Sequence, residues 1–383
     1  MDIVGGVYSE SCEVPFWNAE LGSGGRAAAA ISKLSPHSTL HTYAKNFSSR
    51  GLTQLKEMGI ALDLHRSDAE IAFAYFHPLS RPHIEPRRSE ISRNRSIQVS
   101  ARTVLRFGML EGDAIVDAEY AVYDPQTLYF PEPYRDNGSK ARQLAILLNR
   151  AELRAITRKS NIGHGAREVQ RTQGAQVVVV KDGPYGAWVV EGKMPPHFIP
   201  AYYSSKVFKI GSGDVFSAIF SFYWGEENRC ALEAADLASR TVSQYSTKPM
   251  LPVDSSLEGC TPVFPRTTKH IFLNGYANTL GRRYSLEEAR HRLEELGAVV
   301  SCPVLDRHNH DISLPGEVSE LLIADGFPDD ALQDRMTAVP GRQNALIILA
   351  EDRAPSLQEA ADNRLVITDD FSSAIYLAIW GKC

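Results

Sequence analysis

Cysteine is scarce in this sequence, and its spacing excludes two common kinds of site. The five cysteines are odd in number and widely scattered, and no C-x-x-C pair occurs. A set of cysteines arranged in this way indicates neither a disulfide framework nor a cysteine-ligated zinc site. We therefore expect the chain to fold without covalent cross-links, in a reducing compartment.

Long apolar runs and a strong excess of one charge are also missing. No stretch approaches the ~18 consecutive apolar residues that a membrane-spanning helix needs. The opening "MDIVGGVYSESCEV" has no basic stretch followed by an apolar core, so no secretory signal is expected. A formal net charge of -5 argues against nucleic acid or an acidic membrane surface as the partner. These absences together predict a cytoplasmic protein.

The length and overall composition are those of a folded protein with more than one domain. The chain has 383 residues, of which 43% are hydrophobic and 23% charged. Residues 247–268 contain four prolines and a cluster of hydroxyl side chains, which is typical of a linker. We expect a first domain at 1–250, a linker at 251–268 and a smaller α/β domain at 269–383.

Short apolar segments alternate with longer helical patterns, which predicts an α/β fold with a largely parallel sheet. The run "AQVVVVKDG" is typical of a buried parallel strand, and "GAWVVEGK" of its hairpin partner. A capping box from Ser285 to Glu288 predicts a helix start. The other predicted strands are 41–46, 113–125, 270–275, 298–305 and 345–351. The other predicted helices are 51–62 with a stop at Gly59, 140–156 with a break near Asn149, 228–246, 285–297 and 369–380.

The segment 209–224, "KIGSGDVFSAIFSFYW", combines a glycine turn, an acid and an apolar run. Gly211 and Gly213 permit a tight turn, and Val215–Trp224 is predicted to be a buried helix. The start of such a helix presents unpaired N–H groups and a positive dipole end, so it can bind an anion. Asp214 would lie beside that anion. The alternative is that Asp214 only caps the helix.

Three further segments accompany this one in a fixed order. Asn149 and Glu152 form an N-x-x-E pattern, "VKDGPYG" ends a strand in a glycine turn, and "GSGGRAAAA" places a double glycine before an alanine-rich helix. Together these segments resemble the ribokinase-like family of PfkB-type carbohydrate and nucleoside kinases, over residues 1–250. The most specific match is G-S-G-D followed by V-F-S-A, which is similar to the G-A-G-D signature of that family.

The resemblance implies a ribokinase-like three-layer α/β/α domain that phosphorylates a hydroxyl of a small sugar or nucleoside with ATP. Asp214 would be the general base, and the amides of Gly211, Ser212 and Gly213 would form the anion hole. Phosphoryl transfer needs little covalent help, so positioning and electrostatic stabilisation can supply most of the rate.

The resemblance also implies residues for ATP and Mg²⁺. Glu152, with Asn149, would hold Mg²⁺ through water, because this ion keeps much of its hydration shell. Taken singly, Asn149 as a helix end and Glu152 as a solvated surface acid are equally open. The other residues implied to contact the nucleotide are Lys181, Gly183, Gly186 and Lys209, and residues 231–245 would flank the adenine.

On the substrate side the chain departs from the family pattern. Phe208 and Lys209 replace the usual Asp-Thr, and Ala29 stands where an asparagine is expected. The implied substrate contacts are therefore Glu10, as the nearest acid, and the double glycine Gly24 and Gly25. Two alternatives stay open: a catalytically impaired nucleotide or nucleoside sensor coupled to the C-terminal domain, and a nucleoside-processing transferase. A homodimer is also left open.

The C-terminal domain has a fainter resemblance. Residues 271–300 and the closing "TDDFSSAIYLAIW" are similar to nucleoside 2-deoxyribosyltransferase-like domains, although no D-x-G-T-x-x-E stretch with a catalytic glutamate occurs. The acid and histidines Asp306, His308 and His310 form either a metal site or a polar surface. The basic segment 81–95 is interpreted as a solvated face because it lacks interleaved aromatic residues.

Overall fold

The computed structural model describes residues 1–127, 131–254, 256–264, 270–306, 318–337, 345–351 and 365–381. The chain divides into two compact units. The first consists of Met1–Ser204 and Phe208–Pro262, and the second of Ser205–Val207 and Val263–Cys383. The proposed metal ligands His308 and His310 lie outside the described residues.

The first unit contains both strands and helices. Its strands are β1 (Asp2–Val4), β2 (Ser9–Cys12), β3 (Trp17–Glu20), β4 (Thr39–Ala44), β5 (Ala61–Arg66), β6 (Ala72–Tyr75), β7 (His83–Glu85), β8 (Ile97–Phe107), β9 (Ala114–Asp124), β10 (Lys140–Asn149), β11 (Val177–Lys181), β12 (Ala187–Glu191), β13 (His197–Ile199) and β14 (Ala201–Tyr202). A short strand, β15 (Pro262–Val263), contains the last residue of the first unit and the next residue of the chain. Its helices are α1 (Gly22–Ile31), α2 (Arg50–Glu57), α3 (Arg150–Thr157), α4 (Ile162–Gln173), α5 (Ser212–Ser221) and α6 (Ala231–Thr247).

A nine-stranded sheet in the order β13-β12-β11-β10-β9-β8-β1-β4-β5 forms the centre of the first unit. Its strands run parallel from β5 to β11, and β12 and β13 are antiparallel. A second sheet of four strands has the order β3-β2-β6-β7. The predicted α/β fold with a mostly parallel sheet is thus confirmed, as are the buried strand β11 and its hairpin partner β12.

The large sheet has helices on both faces, because neighbouring residues of each strand pack into different clusters. Leu147 and Val179 belong to a core that includes residues of α1, α5 and α6. Leu148 and Val180, one position further along, belong to a second core that includes residues of α3 and α4. Period-two alternation of this kind, with both faces apolar, is what a three-layer α/β/α arrangement requires.

The structure corrects one predicted helix of the first unit. Residues 140–149 form strand β10 inside the large sheet, and only Arg150–Thr157 is helical. The run Leu144–Leu148 is fully buried, and a short apolar run of this kind fits a doubly covered strand as well as a buried helix. The helix predicted within 51–62 ends at Glu57, just before the predicted stop at Gly59, which is left-handed, and the chain enters β5 at Ala61.

Helix boundaries near the glycine motifs also differ from those predicted. The double glycine lies inside α1, which already begins at Gly22, rather than before it. Helix α5 ends at Ser221 and continues as a π-helical turn, Phe222–Glu226. The basic segment 81–95 contains strand β7 within it.

The second unit is built on a five-stranded parallel sheet in the order β17-β16-β18-β19-β20. Its strands are β16 (His270–Asn274), β17 (Val299–Ser301), β18 (Ser319–Ile323), β19 (Leu346–Leu349) and β20 (Leu365–Thr368), and its helices are α7 (Leu280–Glu295), α8 (Asp329–Thr337) and α9 (Phe371–Trp380). The prediction of a smaller α/β domain is thereby confirmed, whereas its similarity to deoxyribosyltransferase-like domains stays a prediction.

The predicted capping box at Ser285 is wrong. Helix α7 begins five residues earlier, at Leu280, with Thr279 as the N-cap whose side chain accepts from the Arg282 amide. Ser285 lies within the helix and its hydroxyl donates to the carbonyl of Gly281. The S-x-x-E pattern therefore falls inside the helix, where it has no capping function.

Candidate active site

Three polar residues end neighbouring strands of the large sheet. Asp124 ends β9, Asn149 ends β10 and Lys181 ends β11, and Asn149 and Lys181 are register partners. Parallel strands place their carboxyl ends at the same edge of a sheet, and this edge is where ligands bind in open α/β sheets. The N-terminus of α5 lies at the same edge, because Ser217 of this helix donates to Asp124 at 2.6 Å.

The turn before α5 has the form that the glycine motif predicts. Gly211 is the N-cap with φ of 72°, and a Cβ there would lie 2.1 Å from Cδ of Arg26, so this position requires glycine. Of the three amides predicted to form an anion hole, that of Ser212 donates to the carbonyl of Lys209 at 3.2 Å. The amides of Gly211 and Gly213 have no partner in the described part of the chain.

Asp214 does not cap the helix. Its side chain makes no capping bond, and its carboxylate is instead held by two side chains from elsewhere in the unit. Arg26 donates from Nη1 to Oδ2 at 3.0 Å, and Gln126 donates from Nε2 to Oδ1 at 2.5 Å. Asp214 is only 8% exposed, and this burial raises its pKa, while the charge of Arg26 acts in the opposite direction.

Arg26 is the principal site residue that sequence reasoning missed. It projects from α1, is 1% exposed, and donates from Nη2 to Oε2 of Glu10 at 2.6 Å as well as to Asp214. Its Nε has no partner in the described part of the chain. The available signal was a single arginine in an alanine-rich helix, since a buried guanidinium requires carboxylate partners.

Glu10, the predicted substrate contact, lies on β2 of the small sheet and is 7% exposed. One oxygen, Oε2, accepts from the Gly22 amide at 3.0 Å and from Arg26. Glu10 also lines a cavity of about 560 Å³, together with Trp17 and Tyr245. Glu10 therefore connects this cavity to the Arg26–Asp214 pair.

Two half-buried lysines, Lys181 and Lys209, lie near the turn. Lys181 Nζ bonds Asp124 at 2.6 Å and Ser217 at 3.3 Å, and lies 3.6 Å from the position of a Cβ on Gly213. Lys209 Nζ donates to the hydroxyl of Ser212 at 2.7 Å. The structure thus brings both lysines close to the turn, where they add positive charge.

Asn149 and Glu152 form a reciprocal capping box at the start of α3. The Asn149 amide donates to Glu152 Oε2 at 2.7 Å, and the Glu152 amide donates to Asn149 Oδ1 at 2.9 Å. Asn149 therefore begins a helix rather than ending one, and Glu152 is 4% exposed rather than a solvated acid. Burial and the nearby Asp124 carboxylate raise the pKa of Glu152 to about 8.

This raised pKa predicts a pH-dependent stability. The folded protein holds a proton on Glu152 that the unfolded chain releases near its ordinary pKa of 4.5, so the stabilising contribution is lost as pH rises towards 8. Between about pH 6 and about pH 8.5, we expect the melting temperature to fall less in Glu152→Gln than in the parent. Calorimetric scans across this range measure it, and an equally steep slope in the variant would contradict it. The exposed Glu57→Gln is the matched control.

The remaining glycines of the predicted site contact protein atoms. Gly24 packs against the backbone of Gly5, where a Cβ would come within 2.5 Å, and Gly25 lies against Val7 and Leu55. These contacts allow α1 to approach β1 closely. Ligand contact by Gly24 and Gly25 stays a prediction, and so does phosphate contact by the glycines after β11. Those two, Gly183 and Gly186, both adopt positive φ in the turn between β11 and β12.

The donor set at this edge fits a magnesium–nucleotide complex in part. Glu152 uses Oε2 in the capping box, which leaves Oε1 for a magnesium-bound water, and the two lysines suit phosphate oxygens. Among the residues the structure describes, no group of three or more His, Cys, Asp or Glu could hold a metal ion by itself. Within the same residues, no helix has the length and apolarity to cross a membrane.

Comparisons with known proteins return structural matches alone. No protein-family model matches the sequence, and no curated protein matches it. Among solved structures, the chain is similar to ribokinase from Thermotoga maritima, with 14% identity, coverage of 67% of this chain and 97% of that one, and a TM-score of 0.45. Adenosine kinase from Sinorhizobium meliloti matches with 12% identity, coverage of 64% and 93%, and a TM-score of 0.48.

A third match is a pyrophosphate-dependent kinase of the ribokinase family, complexed with a pyrophosphate analog and myo-inositol. It has 13% identity, coverage of 66% of this chain and 97% of that one, and a TM-score of 0.44. These proteins belong to the group of kinases that the sequence motifs resemble. At identities of 12–14% and TM-scores below 0.5, these matches carry no statement about activity, and the proposed function depends on the site itself.

Proposed function

We propose that the first unit is a phosphotransferase that uses ATP to phosphorylate a hydroxyl of a small sugar or nucleoside. One observation carries this proposal. A buried carboxylate, Asp214, lies one residue from the unpaired amide of Gly213, at a helix start that also lies close to the half-buried lysines Lys181 and Lys209. This combines a base, an anion site and positive charge at the carboxyl edge of a parallel sheet.

The residues divide into a donor side and an acceptor side. On the donor side, the start of α5 with Lys181 and Lys209 would bind the phosphates. Mg²⁺, held through water by Glu152 with Asn149, would neutralise charge on the phosphate oxygens when bound. On the acceptor side, Glu10 would contact hydroxyl groups of a molecule in the 560 Å³ cavity that it lines.

The chemical step follows from these positions. Asp214 takes the proton of the acceptor hydroxyl as its oxygen forms a bond to the terminal phosphorus, and the bond from that phosphorus to the diphosphate oxygen breaks. Negative charge on the transferring group is stabilised by the Gly213 amide and the two lysines. The diphosphate leaves with the electron pair of the broken bond.

The test is a screen for ADP release with the full chain, ATP and Mg²⁺ against a panel of sugars and nucleosides. We expect release that depends on one class of acceptor, together with a phosphorylated product by mass spectrometry. Nucleotide binding in calorimetry without any phosphorylated product across the panel would contradict a phosphotransferase.

That contrary result would favour a second candidate, a nucleotide or nucleoside sensor without turnover. The observation in its favour is Arg26, whose guanidinium lies between Glu10 and Asp214 and covers Gly211. A group in this position keeps an acceptor hydroxyl from Oδ2 of the base. For the sensor, the same calorimetry gives a measurable affinity that Asp214→Asn leaves unchanged.

The lysine beside the turn predicts a pH dependence of nucleotide binding. Burial and the neighbouring charge of Lys181 lower the pKa of Lys209 to about 8. Lys209 is therefore protonated below pH 8 and loses its charge above it, so ATP affinity should fall as pH rises from 7 to 9. Lys209→Met should lower affinity at pH 7 and remove most of this dependence in calorimetry. The exposed Lys193→Met should behave as the parent, and an unchanged pH profile in Lys209→Met would contradict the assignment.

A further inference from the structure

We propose that Gln126 occupies the place of the acceptor hydroxyl on Asp214 and must leave it before transfer. Gln126 is thus a positioning residue that controls access to the base. This inference rests on the proposed function, in which Asp214 is the general base.

The two oxygens of Asp214 are held in different ways. Oδ2 is bonded by Arg26, which is itself fixed by Glu10 and by the carbonyl of Gly22 and is almost wholly buried. Oδ1 is bonded by Gln126, which lies in the loop that follows β9 and is only half-buried. Arg26 is therefore held in place by other bonds of its own and by burial, whereas the contact with Oδ1 is made by a single half-buried side chain.

The Gln126 amide makes the contact that an acceptor would make. An N–H at 2.5 Å from a carboxylate oxygen occupies the position from which an alcohol O–H would donate its proton. Because Asp214 is buried, removal of Gln126 without a replacement would leave Oδ1 without a donor, which is unfavourable. When the neutral amide of Gln126 is exchanged for the neutral hydroxyl of an acceptor, the carboxylate of Asp214 has a hydrogen-bond donor before and after the exchange. Acceptor binding and departure of Gln126 are therefore coupled.

The backbone of Gln126 is consistent with a residue held in place by this contact. Its φ is 51°, and among the described residues the other non-glycine residues with positive φ are Arg158 and Asn228. An L-residue adopts this left-handed conformation at an energetic cost, and such conformations cluster at functional sites. Departure of Gln126 from Asp214 would allow its backbone to leave this conformation.

Two measurements test the proposal in the full chain. Gln126→Ala should raise the labelling of Asp214 by a water-soluble carbodiimide about fivefold, the factor expected for loss of one hydrogen bond. In turnover with ATP, the same variant should lower the acceptor KM by a similar factor and increase acceptor-independent ADP release, because water reaches the base. The exposed Gln98→Ala is the matched control and should change neither quantity.

The outcomes separate this inference from the proposed function. Labelling of Asp214 and an acceptor KM that are both unchanged in Gln126→Ala would overturn the role of Gln126. If the parent shows no turnover with any acceptor, the phosphotransferase fails, and the carbodiimide measurement still decides whether Gln126 covers Asp214. Should Gln126→Ala fold poorly, Gln126→Gly replaces it, because glycine adopts the same φ without strain.

Discussion

Arg26→Ala should lower the free energy of unfolding by about 3–5 kcal/mol, the range measured when one partner of a buried ion pair is removed. The guanidinium is 1% exposed and bonds two carboxylates, Glu10 and Asp214, which are themselves nearly buried. Without Arg26, the negative charges of Glu10 and Asp214 would face each other in a buried region where water solvates neither carboxylate. Denaturant unfolding of the parent and the variant measures the difference.

Two comparisons make this prediction specific. The exposed Arg154→Ala removes a similar side chain from α3 and should change stability by less than about 0.5 kcal/mol. Glu10→Gln combined with Arg26→Met should be less destabilised than Arg26→Ala, because one of the two uncompensated charges is gone and apolar volume is retained. A double variant as unstable as Arg26→Ala would contradict the explanation of the loss by uncompensated charge.

Asp214→Asn should reduce turnover by about 10²–10⁴-fold, the contribution typical of a general base, while nucleotide affinity stays close to that of the parent. Asparagine keeps the size of the side chain and can still accept from Arg26, but it cannot take a proton. Steady-state ADP release measures the first effect and calorimetry the second.

The control for this prediction is Asp68→Asn, an exposed aspartate in the loop after β5. Asp68→Asn should leave turnover and nucleotide affinity unchanged. Turnover by Asp214→Asn at the parental rate would remove Asp214 from the mechanism. A loss of nucleotide affinity equal to the loss of turnover would instead give Asp214 a role in binding the donor.

Most of the fold could be predicted because its strands carry strong local signals. The valine run of β11 and the alternation of more and less apolar residues in β12 are patterns typical of strands. Strand β10 was mistaken for a helix because Leu144–Leu148 is apolar at every position, and only the tertiary fact that helices cover both faces distinguishes the two structures.

In the candidate site too, residues within a local motif could be predicted and residues distant in sequence could not. Asp214 and the glycine turn were predicted because they lie in one short motif, where spacing alone carries the information. Arg26 and Gln126 were missed, since they reach Asp214 from positions 188 and 88 residues away in the chain. No local pattern records which distant side chain will meet a particular carboxylate.

The position of Glu10 has an electrostatic consequence. Glu10 belongs to the four-stranded sheet and Asp214 to a helix on the nine-stranded sheet, and a single guanidinium holds both carboxylates. Without the Glu10 contact, Arg26 would keep only Asp214 as a counter-ion, which would strengthen its interaction with that carboxylate and lower its basicity. The Glu10 charge instead raises the pKa of Asp214, so a residue of the smaller sheet contributes to the proton affinity of a residue on a helix of the larger one.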